Sequence, residues 1–216
     1  MKRFLSLLMA GSLALLPSEG CESEITVTPA VQTPGTIHLE GDSVTFQTYY
    51  GTGVEAPFTS GEFVPGSTAD KSWSGEAALT RIPKMVAQGK VETLVWALGL
   101  NEIFLDPNHE WGTKDQWIWY GLLFDEVPDE SCIVMVKPWV LPIGNDVRPL
   151  HSMNAIRLWM DDFQAARENT VVVDWRPILE ANPQFSPVDG VHLAAGSGAA
   201  EARDAMYREG IARCGS

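Results

Sequence analysis

From residue 36 onward, apolar runs of strand length alternate with helical patterns. Residues 37–39, 91–98, 133–136 and 171–173 are nearly continuous apolar stretches, with β-branched residues prominent in most of them. Runs of this kind suit strands covered on both faces, as in a parallel sheet. Between them, Leu79, Ile82 and Val86 share one helical face, with Gly89 as a stop and Pro83 as a kink or limit. Residues 115–124 form a short aromatic segment. Met153, Ile156, Met160 and Phe163 form an apolar stripe, with Asp161, Asp162 and Arg167 off it. A final helix is expected over 194–212. This alternation predicts an α/β fold, a three-layer α/β/α sandwich around a mainly parallel sheet.

In such a sheet, sites form at the carboxyl ends of the strands. Ser43 follows the first apolar run and Asn101 follows the second, while Asp189 and His192 stand in the loop before the last helix. The element order therefore brings all of these residues to one edge.

The N-terminal pattern is different. Lys2 and Arg3 precede an apolar run over 4–16 that is short for a bilayer span, followed by Pro17 to Gly20. That layout predicts a secretory signal over residues 1–20. Residues 22–34 are rich in Thr, Pro, Ser and Glu without periodicity, so 21–35 reads as an extended tether and 36–216 as one domain. Cys21 sits at the cleavage point and resembles the lipidated cysteine of bacterial lipoproteins, with Gly20 at the usual small position. Ser18 and Glu19 depart from that pattern, and Ser18 with Gly20 also suits ordinary signal cleavage. The expectation is an exported protein, extracellular or at the cell envelope, that meets a membrane only through an N-terminal lipid anchor.

Cysteine usage agrees with export. With Cys21 at the cut, Cys132 and Cys214 remain as a candidate disulfide in an oxidising compartment. The formal net charge of -13 argues against nucleic acid and anionic headgroups as partners, because both are repelled.

The chemistry lies in two segments. The first apolar run ends in Gly41-Asp42-Ser43, and far downstream Asp189-Gly190-Val191-His192 places an imidazole three residues after a carboxylate. A serine hydroxyl needs a base to take its proton, and the base needs a partner that fixes its tautomer. Ser43, His192 and Asp189 are the candidates for these roles. A Gly-Asp-Ser tripeptide by itself is an ordinary turn, and Asp189 alone would serve as a helix cap. Of the other histidines, His38 lies inside the first strand, His109 lies in a polar loop beside Glu110, and His151 precedes a helix.

Several competing motifs fail. Gly51-x-Gly53-x-x-Ala56 runs straight into Pro57, where no dinucleotide-binding helix can begin. Gly41-Asp-Ser-Val-Thr45 lacks the closing glycine of the G-x-S-x-G elbow. No His-x-x-x-His or Cys-x-x-Cys spacing suggests a metal, and no cofactor is expected.

Four blocks in order, Gly41-Asp-Ser43, Gly66 within Pro65-Gly-Ser-Thr68, Gly99-Leu-Asn101-Glu102 and Asp189-x-x-His192, resemble the SGNH (GDSL-type) hydrolase family. The resemblance spans about 36–212 and implies the SGNH, flavodoxin-like sandwich. It implies a serine esterase with a Ser43–His192–Asp189 triad and an acyl-enzyme. It also implies an oxyanion hole from the backbone N–H groups of Ser43 and Gly66 and the Asn101 amide. Two positions depart from the family pattern: Glu102 stands where Asp is usual, keeping the charge on a longer arm, and Val44 replaces the usual Leu.

The implied substrate is a small acyl ester, either a free small molecule or an acetyl group on carbohydrate. A lysophospholipase, a thioesterase or an acyltransferase of the same fold stays open, as does a non-catalytic, envelope-tethered binding protein. Trp111, Trp117, Trp119 and Tyr120 cluster after the Asn101 block, where they fill the core or stack on substrate. Substrate choice is expected in the loops 45–64 and 106–113.

Overall fold

The computed structural model describes residues 35–63, 76–105, 114–141, 148–186 and 188–214. Five parallel strands, β1 (Ile37–Gly41), β2 (Ser60–Phe63), β3 (Thr93–Ala97), β4 (Cys132–Lys137) and β5 (Thr170–Asp174), form one sheet in the order β2-β1-β3-β4-β5. The four expected runs are β1, β3, β4 and β5, and they are buried on both faces. Leu39, Leu94, Val95, Trp96, Ile133, Val134 and Met135 have no exposed surface. The helices are α1 (Ser43–Tyr49), α2 (Ala78–Ala87), α3 (Leu100–Leu105), α4 (Lys114–Asp125), α5 (Arg148–Ala166), α6 (Arg176–Ala181) and α7 (Ala199–Arg213).

The sheet register separates the two helical layers. Val134 pairs with Val95 and meets α7 at Gly210, while the neighbouring Trp96 points the other way, onto Tyr120 and Phe124 of α4. Successive side chains alternate across a strand, so α7 and α4 cover opposite faces. The α1 helix joins α7 through a hydrogen bond between Thr45 and Tyr207 and another from Tyr49 to Asp204. On the other face, Trp159 of α5 packs against Tyr120 and Phe124. This is the three-layer sandwich expected from the sequence.

Several elements differ from expectation. The loop expected over 45–64 contains α1 and the edge strand β2. Pro83 does not end α2, which continues to Ala87. His151 lies inside α5 and not before it. The last helix begins at Ala199 and not at 194, because the chain turns through Gly196-Ser197-Gly198 first. Tyr120 is a core residue, while Trp111 lies outside the described residues.

A polar cluster lies on the β2 side of the sheet, with His38 and Glu40 buried, Arg81 half-buried and Ser60 exposed on the edge strand. His38 bonds Ser60 Oγ through Nδ1 at 2.9 Å and Glu40 Oε1 through Nε2 at 2.7 Å. Arg81 of α2 grips Glu40 with Nε at 2.9 Å and an Nη at 2.6 Å. Burial works to lower the Arg81 pKa, but the hydrogen bonds and charge of Glu40 outweigh it and raise it. The cluster ties the edge strand and α2 to β1. Removing one partner of a buried pair leaves the other charged and unpaired. Glu40→Gln is therefore expected to lower stability by about 2–4 kcal/mol, read as a fall in the urea midpoint. An unchanged midpoint would show that the cluster contributes nothing.

Candidate active site

The Gly-Asp-Ser turn is shaped by the step from β1 into α1. A Cβ on Gly41 would stand 2.6 Å from the Thr45 side chain, so the chain can turn this tightly only without one. Asp42 is the helix N-cap, and its carboxylate accepts the Val44 N–H at 3.0 Å. Ser43 is then the first residue of α1, at the carboxyl edge of the sheet. Asp42 is fully buried. Burial raises its pKa, opposed by the charge of Arg203 and by the amides of Val44 and Thr45.

Ser43 meets a base across the fold. Its Oγ lies 3.0 Å from His192 Nε2, and His192 Nδ1 lies 2.5 Å from Asp189 Oδ2. With Nδ1–H donated to Asp189, Nε2 is the lone-pair nitrogen facing the serine hydroxyl. The other Asp189 oxygen accepts the backbone N–H groups of Val191 at 2.9 Å and His192 at 2.8 Å. Partial burial works to raise the Asp189 pKa, but the ring and backbone hydrogen bonds from His192 and Val191 outweigh it and hold it below the usual carboxylate range. The orienting charge therefore survives mild acid: its stabilisation is complete above the unfolded value and is lost only as pH falls through the lowered one.

The loop that carries this pair is braced from two sides. Gly190 has φ +72, and a Cβ there would meet the Leu141 carbonyl oxygen at 2.5 Å, so the β4 exit can pack directly against it. Leu141 N–H donates to Gly190 O at 2.9 Å. On the other side, Gln47 Oε1 accepts the N–H of Leu193 at 2.9 Å, tying the residue after His192 to α1.

Asn101 is the second residue of α3, beyond the end of β3, and β3 is the sheet neighbour of β1. It thus lies at the same edge as Ser43. Glu102 is turned inward and buried. Its carboxylate accepts Gly99 N–H at 2.9 Å and Tyr120 O–H at 2.8 Å, so it fixes the turn that presents Asn101. Gly66 and Cys21 lie outside the described residues. Cys132 and Cys214 form a disulfide with a Cα–Cα distance of 5.8 Å.

No family model matches the chain, and no curated protein matches it in sequence. Solved structures do match. The C-terminal catalytic domain of peptidoglycan O-acetyltransferase A from Streptococcus pneumoniae aligns with a TM-score of 0.60 at 17% identity, over 83% of this chain and 92% of that one. A lipase/acylhydrolase from Enterococcus faecalis aligns at 0.58 with 22% identity, over 83% and 96%. A GDSL-like lipase from Bacteroides thetaiotaomicron aligns at 0.56 with 14% identity, over 87% and 92%. The chain has the SGNH hydrolase fold. Within the SGNH frame, the structure brings Ser43, His192 and Asp189 into one hydrogen-bonded chain and sets Asn101 on the same edge.

Two features of the structure were not anticipated from its sequence. Gln47 acts across 146 residues, which no local spacing announces. His38 and Glu40 stand two apart on β1, a spacing that puts both side chains on one face of a strand. In that second Ser–His–acid group the imidazole and the carboxylate are buried, while Ser60 is exposed at the start of the edge strand β2.

Proposed function

We propose that the protein is a serine esterase that hydrolyses small acyl esters, acetyl groups on carbohydrate among them. The observation that carries this reading is the unbroken Ser43–His192–Asp189 hydrogen-bond chain at the carboxyl edge of the sheet. In the first step Ser43 Oγ attacks the ester carbonyl carbon as its proton passes to His192 Nε2. The tetrahedral oxyanion then collapses, the bond to the alcohol oxygen breaks, and His192 returns the proton to the leaving alcohol. Water repeats the sequence on the acyl-enzyme, releasing the acid and restoring Ser43. Asp189 holds the ring and stabilises its charged form. The resemblance assigns the oxyanion donors to the Ser43 and Gly66 N–H groups and the Asn101 amide; each such donor is worth roughly 10²–10³ in turnover.

Acyl transfer to a sugar hydroxyl is the second reading, favoured by the likeness to the O-acetyltransferase domain. It differs only in whether water or an alcohol meets the acyl-enzyme. Export forms part of the proposal. The Cys132–Cys214 bond supports it, since such bonds persist in oxidising compartments. A lipid on Cys21 remains within the same reading.

A series of p-nitrophenyl esters tests the acyl preference. On the small-acyl reading, acetate is expected to exceed octanoate by about tenfold or more in kcat/KM, ~1.4 kcal/mol. A flat or rising profile would instead support a lipase or thioesterase.

A further inference from the structure

Arg203 of α7 is buried, and its guanidinium keeps its charge there because arginine is not deprotonated in proteins. Its Nε donates to Tyr207 Oη at 3.1 Å, and its guanidinium carbon lies 4.9 Å from the ring centroid of Trp175 and 5.2 Å from that of Tyr207. These partners carry no charge, and a buried charge needs a counter-charge. Asp204, the next residue in the chain, is taken by Tyr49 and Arg208. Asp42 is the carboxylate that answers. It is buried at the turn into Ser43; burial raises its pKa, and the charge of Arg203 leads the effects that oppose the rise. Yet Arg203 Nη1 is buried and has no hydrogen-bond partner among the described residues, so that arm does not reach Asp42 directly.

Both side chains line one cavity, together with Leu98, Val136, Trp139 and Trp175. It measures about 10 Å³, room for about one water. The indole N–H groups of Trp139 and Trp175 are likewise buried without an acceptor among the described residues. Three buried donors and a buried carboxylate thus belong to the walls of one water-sized space. A water with two to four polar partners is the usual means of satisfying such groups. We propose that one ordered water fills this cavity, accepting from Arg203 and an indole and donating to Asp42, and that Arg203 is thereby a positioning residue for the nucleophile. The bridge keeps Asp42 ionised. Asp42 in turn accepts the Val44 N–H, caps α1 and sets Ser43 toward His192. Tyr207 adds a second link, because its hydroxyl meets both Arg203 Nε and Thr45 Oγ1 of α1. The positioning role rests on the esterase reading above; the water does not.

A crystal structure of the wild-type protein should show one water within about 3.2 Å of both Arg203 Nη1 and the Asp42 carboxylate. A dry cavity, or direct contact between the two side chains, would overturn the bridge. Kinetics on p-nitrophenyl acetate test the positioning role. Arg203→Met keeps the bulk and removes the charge. It is expected to lower kcat by about 10- to 100-fold with KM within about twofold, the scale of a nucleophile misplaced by about 1 Å. Its acid limb should also move to higher pH. Of the charged groups that face Asp42, Arg203 and His192, only His192 then opposes the effect of burial, so the carboxylate takes up its proton earlier as pH falls. Arg203→Lys retains the charge and is expected to hold kcat within about fivefold of wild type, with the limb in place. An unchanged kcat in Arg203→Met, or a loss with an unmoved acid limb, would overturn the role. Where Arg203→Met fails to fold, Arg203→Lys decides, and a loss of kcat beyond about tenfold in it would overturn the role of the charge. Failure of the wild-type protein to hydrolyse the ester would overturn the esterase reading and the positioning role with it, while the water stands or falls on the crystal structure.

Discussion

Ser43→Ala is expected to lower kcat/KM on p-nitrophenyl acetate by on the order of 10⁵-fold, with the fold intact. The size follows from the geometry. Ser43 Oγ is the atom placed 3.0 Å from His192 Nε2 at the sheet edge, and without it neither the acyl-enzyme nor its hydrolysis exists. Residual turnover would come from bound water and the oxyanion donors alone. Stability should hold, because alanine is a good helix former and the Asp42 cap does not use the Ser43 side chain. A fluorophosphonate probe should label the wild-type protein once, at Ser43, and leave the variant unlabelled. The same experiment separates the two Ser–His–acid groups. Ser60 is exposed on the edge strand beside the buried His38, so an adduct at Ser60 in place of Ser43 would assign the nucleophile to this second group. Full activity in Ser43→Ala would remove the triad from the mechanism.

The strands that position this site were legible because burial on both faces leaves a strong trace. β3 and β4 are runs of apolar residues with almost no interruption, and no other element of this length needs such a run. β2 left no such trace. It is an edge strand reading Ser-Gly-Glu-Phe, half-exposed, and it owes its place to pairing with β1 and to His38. α1 was hidden for a different reason. Its Val44, Thr45 and Thr48 are β-branched and weak helix formers, and the helix is held by its cap and by Tyr207 and Asp204 of α7. Local propensity carries no record of such long-range support.

The site divides along the same line. The Asp189–His192 pair could be read because one short loop makes both contacts, and Ser43 could be read because a glycine, a cap and a nucleophile stand in immediate succession. The inward turn of Glu102 could not, since it depends on Tyr120 arriving from α4. The same holds for Gln47, whose partner is 146 residues away. His38 and Glu40 are the instructive case. The period of a strand, applied to Ile37–Gly41, would have paired them, whereas a search at the three-residue spacing of Asp189 and His192 passes over them.

Loss of the Cys132–Cys214 bond is expected to be the largest change in stability available to one alteration. The bond joins residues 82 apart, and a closed loop of that length restricts the unfolded chain by about 4–5 kcal/mol on the chain-entropy scale. For a domain of this size that corresponds to a fall of about 10 °C in Tm. The folded side adds to the case. Cys132 opens β4 and Cys214 caps α7, so the bond pins the end of the helix whose Tyr207 and Asp204 hold α1, and α1 carries Ser43. Thermal melts of the Cys132→Ser/Cys214→Ser double variant, and of the wild-type protein with and without reductant, measure the effect. The double variant and the reduced protein should melt together, well below the oxidised form, and ester hydrolysis should fail at a correspondingly lower temperature. If thiol titration shows the bond open and the melt has not moved, the bond is not a stabilising element, and the support it lends to export is lost with it.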